Sequence, residues 1–172
     1  MLHVLGILLV ISGTLGLGMR YLDKERQRVC FLEKWEYITE LFISEVTYHK
    51  QPLSLASIEI GKKIGGMEGE TLKRIGERIK DGDEDSFSKI WNKEWNEGLK
   101  KIPLSKEEKS MVLDFSIFIG FENQEMQEKM LVSQREKWKK VRERVQEESR
   151  EKRKIIMLLS FSTGVLIVLI LL

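Results

Sequence analysis

The sequence predicts an all-α protein: a small cytoplasmic bundle of about six helices between an N-terminal and a C-terminal transmembrane helix. Three observations predict it. Residues 2–19 and 155–172 are apolar runs that contain no Asp, Glu, Lys or Arg. All 29 Lys and Arg and all 27 Asp and Glu fall between them, from Arg20 to Lys154. Within that charged middle, apolar residues recur at steps of three and four, which is the period of one helix face. No segment shows the strict alternation of a half-buried strand.

Each terminal run is about the shortest that crosses a bilayer core as a helix, roughly 17–25 residues. A helix satisfies its own backbone hydrogen bonds in lipid, so both runs are read as helices. The chain thus divides into an N-terminal span (1–19), a cytoplasmic helical bundle ending in a stalk helix (20–154) and a C-terminal span (155–172). A cleaved signal peptide opens with a positive n-region. Here only the amino terminus and His3 precede the apolar run, and Arg20, Lys24, Arg26 and Arg28 follow it. An uncleaved anchor is expected. Basic residues beside a span favour the cytoplasmic side. The first cluster and a second one at Arg150, Lys152, Arg153 and Lys154 both belong to the middle, so the middle is read as cytoplasmic in a two-pass topology. Arg20, Lys24, Arg150, Lys152, Arg153 and Lys154 are the candidate membrane-surface residues, matched to anionic lipid headgroups.

About 135 residues remain between the spans, enough for one modest domain. A formal net charge of +2 gives no footing for a nucleic-acid partner. The single cysteine, Cys30, cannot form an internal disulfide, which accords with a reducing compartment.

The first bundle helix places Phe31, Trp35, Ile38, Phe42, Val46 and His49 on one face. Pro52 interrupts it after Gln51. A short helix follows with Leu55, Ile58 and Ile64 inward, closed by Gly65 and Gly66. The stretch from Gly69 to Gly82 carries Leu72, Ile75 and Ile79 on one face. The next helix shows Phe87, Ile90 or Trp91, Glu94 or Trp95, and Leu99, with Asp83 or Asp85 available to cap it. After Pro103, Ser105 and Glu108 have the three-residue spacing of a capping box. The helix they open carries Met111, Val112, Phe115, Phe118 and Ile119. The last helix starts near Asn123 and meets no Gly or Pro before Ser162. Its seam of Met130, Gln134, Trp138, Val141 and Val145 is narrower than a core-facing stripe. The part beyond Trp138 therefore reads as a solvated stalk, or as a face for a partner helix.

The search for chemistry is mostly negative. Gly61 to Gly66 lacks the G-x-x-x-x-G-K-[ST] order of a phosphate loop. Asp81, Asp83 and Asp85 match the first EF-hand ligand spacings, but Ser86 and Asn92 stand where Gly and Glu are required. Capping and turn formation explain these acids better. His49 has no second His in the soluble part to share a metal, and Cys30 reads as a packing residue. Trp35, Trp91, Trp95 and Trp138 fall at core spacings. No nucleophile, base and oxyanion set can be assembled. A non-enzymatic protein without a cofactor or metal is expected.

The segment "SEVTYHKQPLSLASIEIGKKI" ends one helix with Glu45, Val46, Thr47 and Tyr48 and passes through Pro52 and Leu53 into a short amphipathic helix. "FIGFENQEMQEKML" places Gly120, Asn123 and Gln127 in a second arrangement. With the terminal spans, these segments resemble the stage III sporulation protein AB family, and the resemblance runs from end to end. It implies a membrane protein of the mother cell, facing the forespore, in an endospore-forming bacterium. Its implied partners are the other membrane proteins of a transenvelope sporulation channel and a secretion-type ATPase. The family is similar to the inner-membrane platform proteins of type II secretion and type IV pilus systems. Those carry two such bundles and three spans, whereas this chain carries one bundle between two spans. Two copies would supply what one platform protein contains, so a homo-oligomer is expected.

The expected function is a non-enzymatic platform that docks the ATPase. The residues in the matching segments, Glu45, Tyr48, Asn123 and Gln127, are the candidate partner-binding residues. The bland account puts Glu45 and Gln127 on solvated faces, Tyr48 in packing and Asn123 at a helix cap. Two other classes compete. A membrane-anchored signalling or regulatory protein would dimerise through the thin seam, but no output module is visible. A lipid-modifying enzyme has only His3 to offer within a span.

Overall fold

The computed structural model describes the backbone of residues 2–119 and 124–171, and the side chains of residues 20–119, 125–159, 162–163 and 166–167. Its elements are α1 (Leu2–Phe42), a π-helical turn (Ile43–Tyr48), α2 (Leu53–Ile64), α3 (Gly66–Lys80), α4 (Phe87–Gly98), a 3-10 turn (Leu99–Lys101), α5 (Lys106–Ile119) and α6 (Gln124–Leu171). Among the described residues there are six α-helices and no strand, as the periodicity predicts. The chain forms two compact units: Cys30–Arg142, and Met1–Val29 with Glu143–Leu172.

The core of the unit Cys30–Arg142 is built around one side chain. Trp35 on α1 is fully buried. Its ring lies 5.8 Å from Phe31, 6.2 Å from Trp91 and 4.8 Å from Trp95. It also lies 5.7 Å from Phe115 on α5 and 5.7 Å from Trp138 on α6. Most of these rings meet edge to face, the arrangement that sets a positive ring edge on a negative face. The core reading of all four tryptophans holds, and both Trp91 and Trp95 point inward, with Ile90 beside them. Trp91 donates its indole N–H to the Val112 carbonyl at 2.9 Å, which ties α4 to α5. The indole N–H groups of Trp35, Trp95 and Trp138 find no acceptor among the described residues.

The second packing device is close backbone approach between α2 and α3. A Cβ on Gly61 would lie 2.6 Å from the Gly69 carbonyl oxygen, and one on Gly76 would lie 2.5 Å from that of Ser54. These pairs run in opposite chain directions, so α2 and α3 form an antiparallel hairpin. Gly65 turns it with φ of 62°, a left-handed conformation that glycine adopts without steric cost. The glycines of the Gly61–Gly66 stretch are thus occupied by helix packing and turning.

α3 and α4 are joined by charge. Glu94 accepts hydrogen bonds from Arg74 at 2.8 Å and Arg78 at 3.1 Å. Burial pushes the Glu94 carboxyl up, and the two guanidinium groups outweigh it and hold the carboxyl below its ordinary value. Arg78 also reaches Asp83, whose carboxylate accepts the Asp85 backbone N–H at 3.0 Å. The reading of these acids as turn-formers is right, but the expectation that Asp83 or Asp85 caps α4 is not. Ser86 stands at the N-cap and makes no side-chain cap bond. Asp83 is held by Arg78 and the turn, and Asp85 lies near Arg78 and Lys89.

α5 opens as its sequence predicts. The Ser105 backbone N–H donates to Glu108 Oε2 at 2.8 Å, and the Glu108 N–H donates to Ser105 Oγ at 3.1 Å. Two donors of the first turn are satisfied reciprocally. The seam of α6 differs from the expectation. Gln127, Leu131, Trp138 and Val145 are buried, while Met130, Gln134 and Val141 are half-buried. Leu131, Trp138 and Val145 stand seven apart, the spacing of a helix packed along one partner. That partner belongs to the same chain: Arg142 on α6 donates to Glu36 on α1. The part beyond Trp138 is therefore not a stalk solvated on all sides.

In the other unit, Lys152 on α6 donates to Glu25 on α1 at 3.1 Å, and Arg28 lies 3.9 Å from the same carboxylate. Ile155, Met157, Leu158 and Leu159 are exposed there, each at 56% or more. Among the described residues no helix is long and apolar enough to cross a membrane. The runs 2–19 and 155–172, where the spans are expected, lie largely outside the described side chains.

Trp35→Ala removes the shared contact of four helices and is expected to cost about 3–5 kcal/mol, read as a fall in urea midpoint. Gly61→Ala forces α2 and α3 apart and is expected to cost about 1–3 kcal/mol in the same measurement. A change within 0.5 kcal/mol at either position, about the scatter of a surface substitution, would contradict this packing.

Candidate functional site

The irregular place in the fold is the corner between α1 and α2. At Ile43 the α-helix widens into a π-helical turn ending at Tyr48. The His49 N–H bonds the Ser44 carbonyl at 3.1 Å, and the Gln51 N–H bonds that of Glu45 at 2.9 Å. Pro52 disfavours helical geometry at Gln51 and starts α2 from an extended conformation, with φ of −55° and ψ of 142°. Between them Lys50 is held at φ of 53°. For a residue with a Cβ that conformation costs roughly 1–2 kcal/mol. Wide turns of this kind concentrate at functional sites.

One buried carboxylate braces the corner. The Glu45 side chain is only 8% exposed and accepts a hydrogen bond from Lys63 Nζ on the last turn of α2 at 2.8 Å. His49 Nδ1 approaches its other oxygen at 3.2 Å. The Lys63 hydrogen bond holds the Glu45 carboxyl below its ordinary value of 4.5, against the opposing effect of burial. The same bond raises Lys63. Nearby, Thr47 Oγ1, Gln51 Oε1 and Ser57 Oγ are buried and find no hydrogen-bond partner among the described residues.

What the corner presents to solvent is apolar and basic. Tyr48 is 68% exposed, Leu55, expected on the inward face of α2, is 46% exposed, and His49, Lys50 and Pro52 are exposed between them. From Val46 to Ile58 the chain contains no Asp or Glu.

The four candidate partner-binding residues separate. Glu45 and Gln127 are buried, not solvated, and Tyr48 is exposed, not packed. Glu45 and Tyr48 share the π-helical turn. Gln127 instead donates its side-chain N–H to the Ile119 carbonyl and so satisfies the end of α5. Asn123 lies outside the described residues. Among the candidate membrane-surface residues, Arg20, Lys24, Arg150, Arg153 and Lys154 are exposed, and Lys152 is drawn to Glu25.

Comparison with known proteins decides the assignment. A family model described as stage III sporulation protein AB matches residues 3–172. The chain belongs to the stage III sporulation protein AB family. A solved structure described as stage III sporulation protein AB (SpoIIIAB) is similar in fold, with a TM-score of 0.65. The two are 16% identical, and the match covers 72% of this chain and 97% of the other. No curated protein matches the chain. Family membership makes this a sporulation protein, as the resemblance of its segments implies.

Sequence reasoning missed Lys63 as the partner of Glu45. The two stand 18 residues apart across a proline break, and no helical period links them. His49 was expected on the inward face, but its side chain is 60% exposed. The π-helical turn advances fewer degrees per residue than an α-helix and carries His49 off the stripe.

The Glu45 carboxyl titrates lower in the folded protein than in the unfolded chain. Its contribution is complete above pH 4.5 and is lost as pH falls through the depressed folded value. Thermal melts should therefore show a smaller loss of stability on acidification from neutral pH in Glu45→Gln than in the wild type. Equal losses in the two proteins would show that Lys63 does not stabilise the ionised form.

Proposed function

We propose that this family member is a non-enzymatic membrane platform in a transenvelope channel between mother cell and forespore, docking a cytoplasmic secretion-type ATPase. In this reading residues 1–19 and 155–172 are two membrane anchors, and the bundle between them is cytoplasmic in the mother cell. The observation that carries the membrane part is the sequence of environments on α6. Exposed Arg150, Arg153 and Lys154 are followed directly by exposed Ile155, Met157, Leu158 and Leu159. Large apolar side chains in a contiguous exposed run call for a lipid or protein cover, and the preceding cations suit anionic headgroups.

The platform part rests on family membership and on rigidity. Four helices share one aromatic contact at Trp35, so a load on any of them is felt by the rest. Glu45 serves such a surface as an internal brace, and among the described members of the candidate set Tyr48 is the one that meets solvent. Self-association into a homo-oligomer and contact with other channel proteins belong to the same proposal.

The signalling alternative is the less favoured reading. It uses the α6 seam to join a second copy, and two of that seam's residues, Trp138 and Val145, are fully buried within the chain.

The full chain in lipid nanodiscs is expected to bind the secretion-type ATPase of the same organism in calorimetric titration. Empty discs and discs holding the Trp35→Ala variant are expected to bind it weakly or not at all. Heat from wild-type discs no different from that of empty ones would sink the ATPase-docking reading.

A further inference from the structure

The α1–α2 corner combines features that the bundle does not need. A basic and apolar surface without carboxylates is unusual in a chain in which 33% of residues are charged. The Lys50 ammonium pairs with no carboxylate among the described residues, while most other lysines of α2 and α3 do: Lys62 with Glu59, Lys63 with Glu45 and Lys73 with Glu70. Lys50 is also the one non-glycine residue held at positive φ among those described. Strain of this kind persists where the surroundings impose it and gathers at binding sites. Thr47 Oγ1 and Gln51 Oε1, which flank the exposed residues of the corner, find no hydrogen-bond partner among the described residues.

We propose that this corner, formed by Tyr48, His49, Lys50 and Leu55, is a docking surface for an acidic protein segment that also carries an apolar side chain. The apolar side chain packs on Tyr48 and Leu55, and a carboxylate pairs with Lys50. The inference deepens the platform reading and rests on it only for the identity of the partner. Charge complementarity chooses the occupant: the exposed, unpaired Lys50 stands in a stretch, Val46 to Ile58, that contains no Asp or Glu. A lipid surface is the weaker fit, because headgroup recognition uses clusters of roughly four to eight Lys and Arg. The corner offers one lysine.

Lys50→Glu and Tyr48→Ala are the informative variants, because both side chains are exposed and neither braces the fold. Glu45→Arg is not a docking test, since it would put a second cation beside Lys63 and break the corner itself. The probe is a short synthetic peptide alternating Glu and Leu, titrated into the full chain in nanodiscs. A peptide alternating Lys and Leu is the control, and backbone amide NMR shifts and calorimetry are the readouts.

The acidic peptide is expected to shift the amides of Tyr48, His49 and Lys50 and to bind more weakly as salt rises. Lys50→Glu is expected to weaken it about tenfold, because the reversal removes one charge pair and sets a like charge against the peptide. Tyr48→Ala is expected to weaken it at all salt concentrations. Equal binding of the acidic and basic peptides would overturn the proposal. So would binding unchanged in both variants, or corner signals that move with phosphatidylglycerol vesicles and not with the peptide. The ATPase titration reads the platform reading separately. Peptide binding without ATPase binding would retain the corner and remove that partner. ATPase binding that both variants leave intact would retain the partner and remove the corner.

Discussion

The bundle depends on one side chain having five aromatic neighbours. Trp35 is the place where α1, α4, α5 and α6 touch, and three of the four tryptophans surround or complete that contact. A small domain cannot bury enough aliphatic surface to be rigid by area alone. Large flat rings in edge-to-face contact supply area and orientation together. The same choice has a cost, since three indole N–H groups in this core find no acceptor among the described residues. The Trp91 N–H, by contrast, satisfies a carbonyl of α5 and fixes how α4 lies on it.

Around that cluster the remaining helices are attached by different physics. The α2–α3 hairpin relies on backbone contact through Gly61, Gly69 and Gly76. The α3–α4 junction relies on Arg74 and Arg78 sharing Glu94. Each attachment suits its place. Glycine contacts bring two short helices close enough to act as one body, while the arginine pairs lie at a partly exposed edge where water screens a charged contact. The α1–α2 corner uses a more deeply buried version of the second device, the Glu45 carboxylate against Lys63 and His49. Both this corner and the α3–α4 junction therefore lose stability when their carboxylates are protonated.

Much of the fold was legible in the sequence. The capping box at Ser105 and Glu108, the proline break before α2, the glycine stop at Gly65 and the inward tryptophans are local or periodic signals, and each is present as read. The misreadings have different origins. The α4 cap failed because Arg78 and the turn had already engaged Asp83. The α6 seam is wider than its periodicity suggests, because Leu131 belongs to it and its covering partner, α1, lies about a hundred residues earlier in the chain. His49 left its stripe because a π-helical turn interrupts the period.

The candidate site divides in the same way. From the sequence alone follow the all-helical class, the three-part layout of charge and apolarity, and the segment around Glu45 and Tyr48 as a place of interest. Periodicity and composition are properties of neighbours along the chain, so one dimension suffices to read them. Only the tertiary structure decided that Glu45 faces inward to Lys63 while Tyr48, three residues on, faces water. It also decided that Gln127 closes the end of α5 and that the α6 seam is covered by α1. Those outcomes depend on which groups meet across long chain separations, and burial, pairing and exposure exist only once the chain has folded.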